Sequence, residues 1–215
     1  NPTLKFGLTI PKGSIDAAKT EKLVTTIFSK LNYNCSFQYF PVERCTQMLL
    51  AEKIDGLPGK PVEELVNFPN IPVVKESFLE IPFNVYYKNK TLKTLSWSEL
   101  EKYKCVNIIG VKFVNQKMPN ATQKGNLYDV ATYKQALKMV EVERVDFAIL
   151  IEPIADNIIK KEKIVNIKKI NKTLSSTSIY ILLSKKHINL APKASEVLKQ
   201  MKKDGSYYKI LDEFK

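Results

Sequence analysis

Hydrophobic and polar positions alternate through Leu4-Lys5-Phe6-Gly7-Leu8-Thr9-Ile10, and Pro11-Lys12-Gly13 then breaks the pattern. Alternation with period two turns one face of a strand toward a core, so a strand followed by a turn is expected. From Asp16 to Leu31 the apolar residues Ala17, Leu23, Val24, Ile27, Phe28 and Leu31 recur at helical spacing. Cys35 to Phe40 alternates again and stops at Pro41. Glu43 to Lys53 returns to helical spacing, with Cys45, Met48 and Leu49 toward the core. Ile54-Asp55-Gly56-Leu57 opens a short third strand that should end at Pro58-Gly59. Strands alternating with helices in this way predict right-handed crossovers and a parallel sheet.

Val62 to Val66 reads as a short helical stretch, and Val73 to Tyr87 as extended chain broken by Pro82. The pattern restarts after Lys88-Asn89-Lys90. Ser96 with Glu99 three residues on has the form of a capping box at a helix start. Cys105 to Val111 reads as a strand ending at Gly110. Tyr128 to Val142 reads as one helix with Ala131, Ala136, Leu137 and Val140 inward, and Val145 to Ile151 as a buried strand. Ile164 to Ile170 and Ser178 to Leu183 are further strands. Ala194 to Met201 and Tyr207 to Phe214 are closing helices. Strand–helix–strand units therefore begin near Leu4 and near Cys105. Each ends in a short strand carrying an aspartate, Ile54-Asp55-Gly56 and Val145-Asp146-Phe147. This internal echo predicts two α/β lobes.

Composition narrows the functional classes. A chain of 215 residues with 44% hydrophobic and 26% charged residues supports a proper core and is not a disordered segment. No apolar run approaches the length of a membrane span. The start at Asn1-Pro2 fits a mature exported form whose signal peptide has been removed, and equally a cytosolic chain. The net charge of +12 suggests nucleic acid, but of the 34 basic residues only Arg44 and Arg144 are arginine. Base and phosphate readers favour the planar guanidinium fork, and the lysines here are scattered along the chain. A lysine-rich solvated surface is the expectation, with no nucleic-acid partner. Cys35, Cys45 and Cys105 contain no Cys-x-x-Cys pair, and His187 is the sole histidine, so no metal site is expected. In an oxidising compartment Cys35 and Cys45 are the natural disulfide pair; otherwise they are small buried apolar residues. With a single histidine that looks like a surface residue, and no phosphate loop, no catalytic set assembles. The chain is not expected to be an enzyme or to carry a cofactor.

Four stretches carry a family resemblance. They are Leu4 to Pro11; Phe40-Pro41-Val42-Glu43-Arg44-Cys45 with Lys53-Ile54-Asp55-Gly56; Tyr133 to Ala148; and Ile179-Tyr180-Ile181-Leu182-Leu183-Ser184-Lys185-Lys186 with Met201-Lys202-Lys203-Asp204-Gly205-Ser206-Tyr207-Tyr208-Lys209-Ile210. In order and spacing they resemble the type II periplasmic solute-binding proteins that serve amino-acid ABC transporters, in a divergent branch. The resemblance implies two α/β lobes joined by two crossover strands. Lobe one would comprise residues 1–86 and 179–215, and lobe two residues 87–178. It further implies a periplasmic, monomeric protein that binds a small-molecule ligand in an interlobe cleft. The expected partner is an ABC transporter permease, or a membrane receptor of which this is the sensing domain. A degenerate member with a protein partner and a dehydratase-like enzyme are the alternatives.

The family's amino-acid-binding groups do not carry over. Phe83 stands near the place of its carboxylate-binding arginine, Gly110-Val111 and Val114-Asn115 replace its Gly-Thr pair, and Ile151 replaces its amine-binding aspartate, with Glu152 one residue later. Candidate ligand residues are therefore assigned by position: Lys12, Arg44, Lys60, Glu76, Tyr86, Lys112, Phe113 and Glu152. For Tyr86 and Phe113 core packing competes with this role, and for the lysines a solvated surface does.

Overall fold

The computed structural model describes residues 1–89 and 96–214; Lys90, at the edge of the expected break, lies outside them. The chain divides into two compact units, residues 1–80 with 178–215 and residues 81–177. Residue 86, expected as the first boundary, falls within a continuous strand.

The first unit opens with β1 (Thr3–Leu8), α1 (Ile15–Ser29), β2 (Asn34–Tyr39), α2 (Val42–Leu50) and β3 (Gly56–Pro61). Both β2 and β3 pair with β1 in parallel, with Phe6 opposite Phe37 and Gly56. Ser14 caps α1, its hydroxyl accepting the Ala17 N–H at 3.1 Å, which satisfies one of the free donors of the first turn. Pro58-Gly59, expected to end β3, instead forms a bulge. Gly59 takes φ 137°, a conformation that suits glycine, and the strand continues so that Lys60 pairs opposite Tyr180. A 3₁₀ turn, Val62–Asn67, follows, and β4 (Leu79–Tyr87) leads into the second unit.

There the order is α3 (Trp97–Leu100), β5 (Cys105–Ile108), α4 (Lys112–Lys117), α5 (Pro119–Gln123), β6 (Leu127–Val130), α6 (Tyr133–Glu141), β7 (Phe147–Ile151), α7 (Glu152–Lys161) and β8 (Lys168–Lys169). β9 (Ser175–Leu183) returns to the first unit, where a short 3₁₀ turn, α8 (Leu190–Lys203) and α9 (Ser206–Asp212) complete it. β5 pairs in parallel with β6 and β7, while β4 is antiparallel to β7, with Phe83 opposite Ile151. The single helix expected over 128–142 is a strand, β6, followed by a helix. The break is at Thr132, which forms a full capping box with Gln135, so the backbone is extended up to that residue.

Each unit buries both faces of its sheet, as parallel sheets do. In the first, Leu4, Phe6, Ile181 and Leu183 pack with α1 and α8 residues on one side. Leu57 and Leu182 pack with Cys45 and Leu49 of α2 on the other. In the second, Phe83, Val85, Phe147 and Ile149 join Leu100, Phe113 and Val114. Their alternating neighbours Tyr86, Ala148 and Leu150 join Ala136, Leu137 and Ala155 of α6 and α7. Gly7 lets α2 approach closely: a Cβ there would lie 2.4 Å from Cys45 Sγ and 2.7 Å from Ile54 Cδ1.

The Cys35–Cys45 disulfide, one of the two readings of this pair, is not formed, and all three cysteines are free. Cys35, on β2, packs with the α1 and α8 cluster, whereas Cys45 lies in the α2 cluster across the sheet. Alternation along the strand separates them, and burial pushes each thiol up to about 11. His187 also departs from expectation. Rather than projecting freely, its Nε2 lies 2.8 Å from Asp55 Oδ1.

Candidate functional site

In open α/β sheets ligands bind outside the carboxyl ends of the strands. Those ends are where β1, β2 and β3 in the first unit, and β5, β6 and β7 in the second, run into the loops or helical turns that follow them. Asp55 lies at the other end, just before β3. Its carboxylate accepts the Lys5 N–H at 2.8 Å and meets Lys186 Nζ at 2.6 Å as well as His187. Burial opposes the charge on Asp55, but the bonds from Lys186, the Lys5 amide and His187 together hold its carboxyl below the usual range. This cluster fastens β1, β3 and the segment after β9.

Of the residues assigned from sequence in the first unit, Lys12 is exposed on the loop after β1. Arg44 is exposed in the first turn of α2, its guanidinium carbon 5.5 Å from the centre of the Phe40 ring. Lys60 is only 5% exposed. Its Nζ meets Glu64 Oε2 at 3.1 Å and lies 5.3 Å from the Phe68 ring centre. Glu76 is a brace: Lys202 Nζ donates to its Oε1 at 2.7 Å, and its amide donates to Ser195 Oγ at 2.9 Å.

In the second unit Lys112 is exposed at the start of α4. Phe113 is buried, stacked on Phe83 at 4.8 Å and met edge-on by Trp97 at 5.8 Å. Tyr86 and Glu152 are brought together. The Tyr86 hydroxyl donates to Asp156 Oδ1 at 2.7 Å and lies 3.3 Å from the Glu152 carbonyl oxygen. Burial and that bond both push the phenol up. Lys169 Nζ donates to Glu152 Oε1 at 2.7 Å and to Asp156 Oδ2 at 2.5 Å. Glu152 Oε2 accepts from Asn84 Nδ2 at 3.3 Å and Thr173 Oγ1 at 3.2 Å. Burial opposes the charge on Lys169, yet its two carboxylate partners raise its pKa.

Asn84, Asp156, Lys169 and Thr173 were not singled out from sequence. Reading residues 152–161 as a helix would have placed Glu152 and Asp156 on one face, four residues apart. A further polar cluster surrounds Asn107 on β5, whose Nδ2 lies 2.8 Å from Asn115 Oδ1, 3.0 Å from the Val111 carbonyl and 3.3 Å from Asp129 Oδ1. Among the described residues no group of three histidine, cysteine or acidic side chains is placed to hold a metal. No described helix is long and apolar enough to cross a membrane.

No protein-family model matches the chain. A Shewanella oneidensis protein, itself described only as uncharacterized, is 24% identical over 205 residues, covering 92% of this chain and 76% of that protein. Among solved structures, a histidine kinase sensor domain with similarity to periplasmic binding proteins superposes with a TM-score of 0.73 at 15% identity. The match covers 99% of this chain and 95% of that one. The fold is that of the periplasmic binding proteins. A probable amino-acid ABC transporter extracellular-binding protein from Bacillus subtilis shares this periplasmic-binding-protein fold, with a TM-score of 0.70 at 15% identity over 97% of this chain and 96% of its own.

Proposed function

We propose that the chain is an extracytoplasmic solute-binding protein that captures a small polar ligand for an ABC transporter or a membrane-bound sensor. The observation that supports this most is the near end-to-end likeness, in both directions, to a transporter's extracellular binding protein and to a kinase sensor domain. A scaffold of this fold, with parallel strand ends in each unit where ligand-binding groups can be placed, suits ligand capture. On this reading the chain works as a monomer without catalysis. The charged residues on the network at Glu152 are satisfied by one another rather than poised as an acid and a base.

Native mass spectrometry of freshly purified protein is expected to show a retained small-molecule adduct. A thermal-shift screen across amino acids, organic acids, sugars and polyamines is expected to find a stabilising solute. Ligand at a hundred times its Kd contributes about 2.7 kcal/mol, equivalent to roughly 5–10 °C for a chain of this size. Absence of both an adduct and any shift across those classes would refute solute binding.

A further inference from the structure

Within the second unit, α6, the end of α7 and the segment that follows carry positive charge that the chain does not neutralise. Every acid from Glu141 to Glu162 is bonded from inside the same unit. Glu141 meets Lys138 at 2.8 Å, Glu143 meets Lys88 at 3.0 Å and Glu162 meets Lys134 at 2.6 Å. Asp146 accepts the Lys104 amide at 2.9 Å, and Glu152 and Asp156 share Lys169. From Lys163 to Lys172 the chain contains no acid. Lys160, Lys161, Lys163, Lys168 and Lys172 are all exposed, and none has an acidic partner within salt-bridge distance among the described residues.

Several of these groups meet at one place. An open groove of about 600 Å³ is lined by Lys134, Lys138 and Glu141 of α6 and by Glu162, Lys163 and Val165 beyond α7. Its two ion pairs leave Lys163 over, and Lys160 and Lys161 form the end of α7 just before it. Aliphatic side chains stand in the open beside these charges. Val165, on the wall of the groove, is 85% exposed, and Val142, next to Glu141, is 57% exposed.

Unpaired cations gathered on one short segment attract an extended anionic surface, by about fivefold in affinity for each lysine held near a charged leaflet. All five are lysine. An ammonium is a point charge without a fixed fork, so it gains from a dense field of anions, whereas readers of a single phosphate or a base edge lean on arginine. The aliphatic tips beside the charges would be covered at a headgroup boundary and would gain nothing from a phosphate backbone. We infer that this face of the second unit docks on an anionic phospholipid surface, a contact separate from solute capture and independent of it.

Co-sedimentation of the full chain with vesicles tests it, using equal parts phosphatidylcholine and phosphatidylglycerol against phosphatidylcholine alone. Binding is expected to the anionic vesicles only, and to weaken as salt rises. Replacing Lys160, Lys161 and Lys163 together with Gln is expected to weaken it about a hundredfold, three lysines' worth. Replacing Lys30, Lys193 and Lys199 of the first unit with Gln removes the same net charge and is expected to leave binding within about twofold, since charges away from the contact are screened. Val165→Ser, which changes no charge, is expected to weaken binding severalfold. All substituted side chains are exposed, and circular dichroism checks that each variant folds as the parent does. Equal weakening by the two lysine sets would make the attraction one of net charge and overturn the assignment to this face. Absence of binding to the anionic vesicles, equal binding to phosphatidylcholine alone, or a Val165→Ser protein that binds as the parent does also overturns it. So does a DNA duplex that displaces the protein from the vesicles at equal phosphate, which would make the partner a nucleic acid.

Discussion

Gly7→Ala is expected to destabilise the first unit. Backbone preference is not the cause: Gly7 lies within β1 and is not among the glycines with positive φ, so alanine fits its dihedrals. Less freedom in the unfolded chain would by itself stabilise the variant by about 0.4–1 kcal/mol. The added methyl, however, would sit 2.4 Å from Cys45 Sγ and 2.7 Å from Ile54 Cδ1. β1 is hydrogen-bonded to β2 and β3 on its two sides, so α2 is the element that must yield. Overpacking of this kind costs about 1–3 kcal/mol. The net loss is therefore about 1–2 kcal/mol, and roughly 2–8 °C in Tm for a chain of this length. Calorimetric melting of Gly7→Ala, Cys45→Ala and the double variant isolates the contact. Removing Sγ should relieve the clash, so the double variant should lose at least about 0.5 kcal/mol less than the two single losses added. Additive losses, or a Gly7→Ala protein as stable as the parent, would refute the close-packing account. Because Arg44 precedes Cys45 on α2, the same shift should reduce ligand affinity in the single variant and not in the double one.

Acid should selectively loosen the Asp55 cluster. The folded carboxyl titrates below its unfolded value of 3.8, so its contribution is complete above that value and is lost as pH falls through the folded one. Asp55→Asn should flatten the stability profile below about pH 4, as urea melts at stepped pH would show. Tyr86→Phe removes the hydroxyl bonded to Asp156 and should cost about 1–2 kcal/mol in denaturant melts, with no change in secondary structure by circular dichroism. Under native conditions iodoacetamide should label Cys45 and Cys105 far more slowly than after unfolding, since both thiols are buried and the thiolate is the reactive form. Peptide mass mapping that found a Cys35–Cys45 bridge in folded protein would contradict the placement of these residues on opposite faces of the sheet.

The layout of the first unit was legible because period-two and period-3.6 patterns alternate cleanly from Leu4 to Leu50. The second unit was less so. Leu127–Val130 is an edge strand with little burial, so its few apolar residues merged with those of the helix beyond Thr132. The helix from Glu152 was overlooked because Pro153 looks like a terminator, although proline is well suited to a helix's first turn. The candidate site was less readable still. Lys169 meets Glu152 and Asp156 because β8 pairs with β4 beside them; the strand expected over Ile164 to Ile170 shortens to Lys168–Lys169, and its pattern does not say which strand it pairs with. Lys60 reads as a surface lysine until the bulge at Gly59 carries the strand onward and buries it.

The division of the chain has a consequence for synthesis. The second unit is contiguous, so its core can close as soon as its residues are available. The first cannot: Leu4, Phe6 and Phe28 pack against Ile181, Leu183, Leu198 and Met201, side chains that are made only after the whole second unit. Until then β3 lacks β9 at its edge, and the amino-terminal segment carries exposed apolar surface while residues 81–177 are being made. The first unit therefore completes its fold only after β9 and α8 have been made. A stop codon after residue 177 would therefore be expected to leave residues 1–80 without the β9 and α8 side chains that complete their core while residues 81–177 keep theirs.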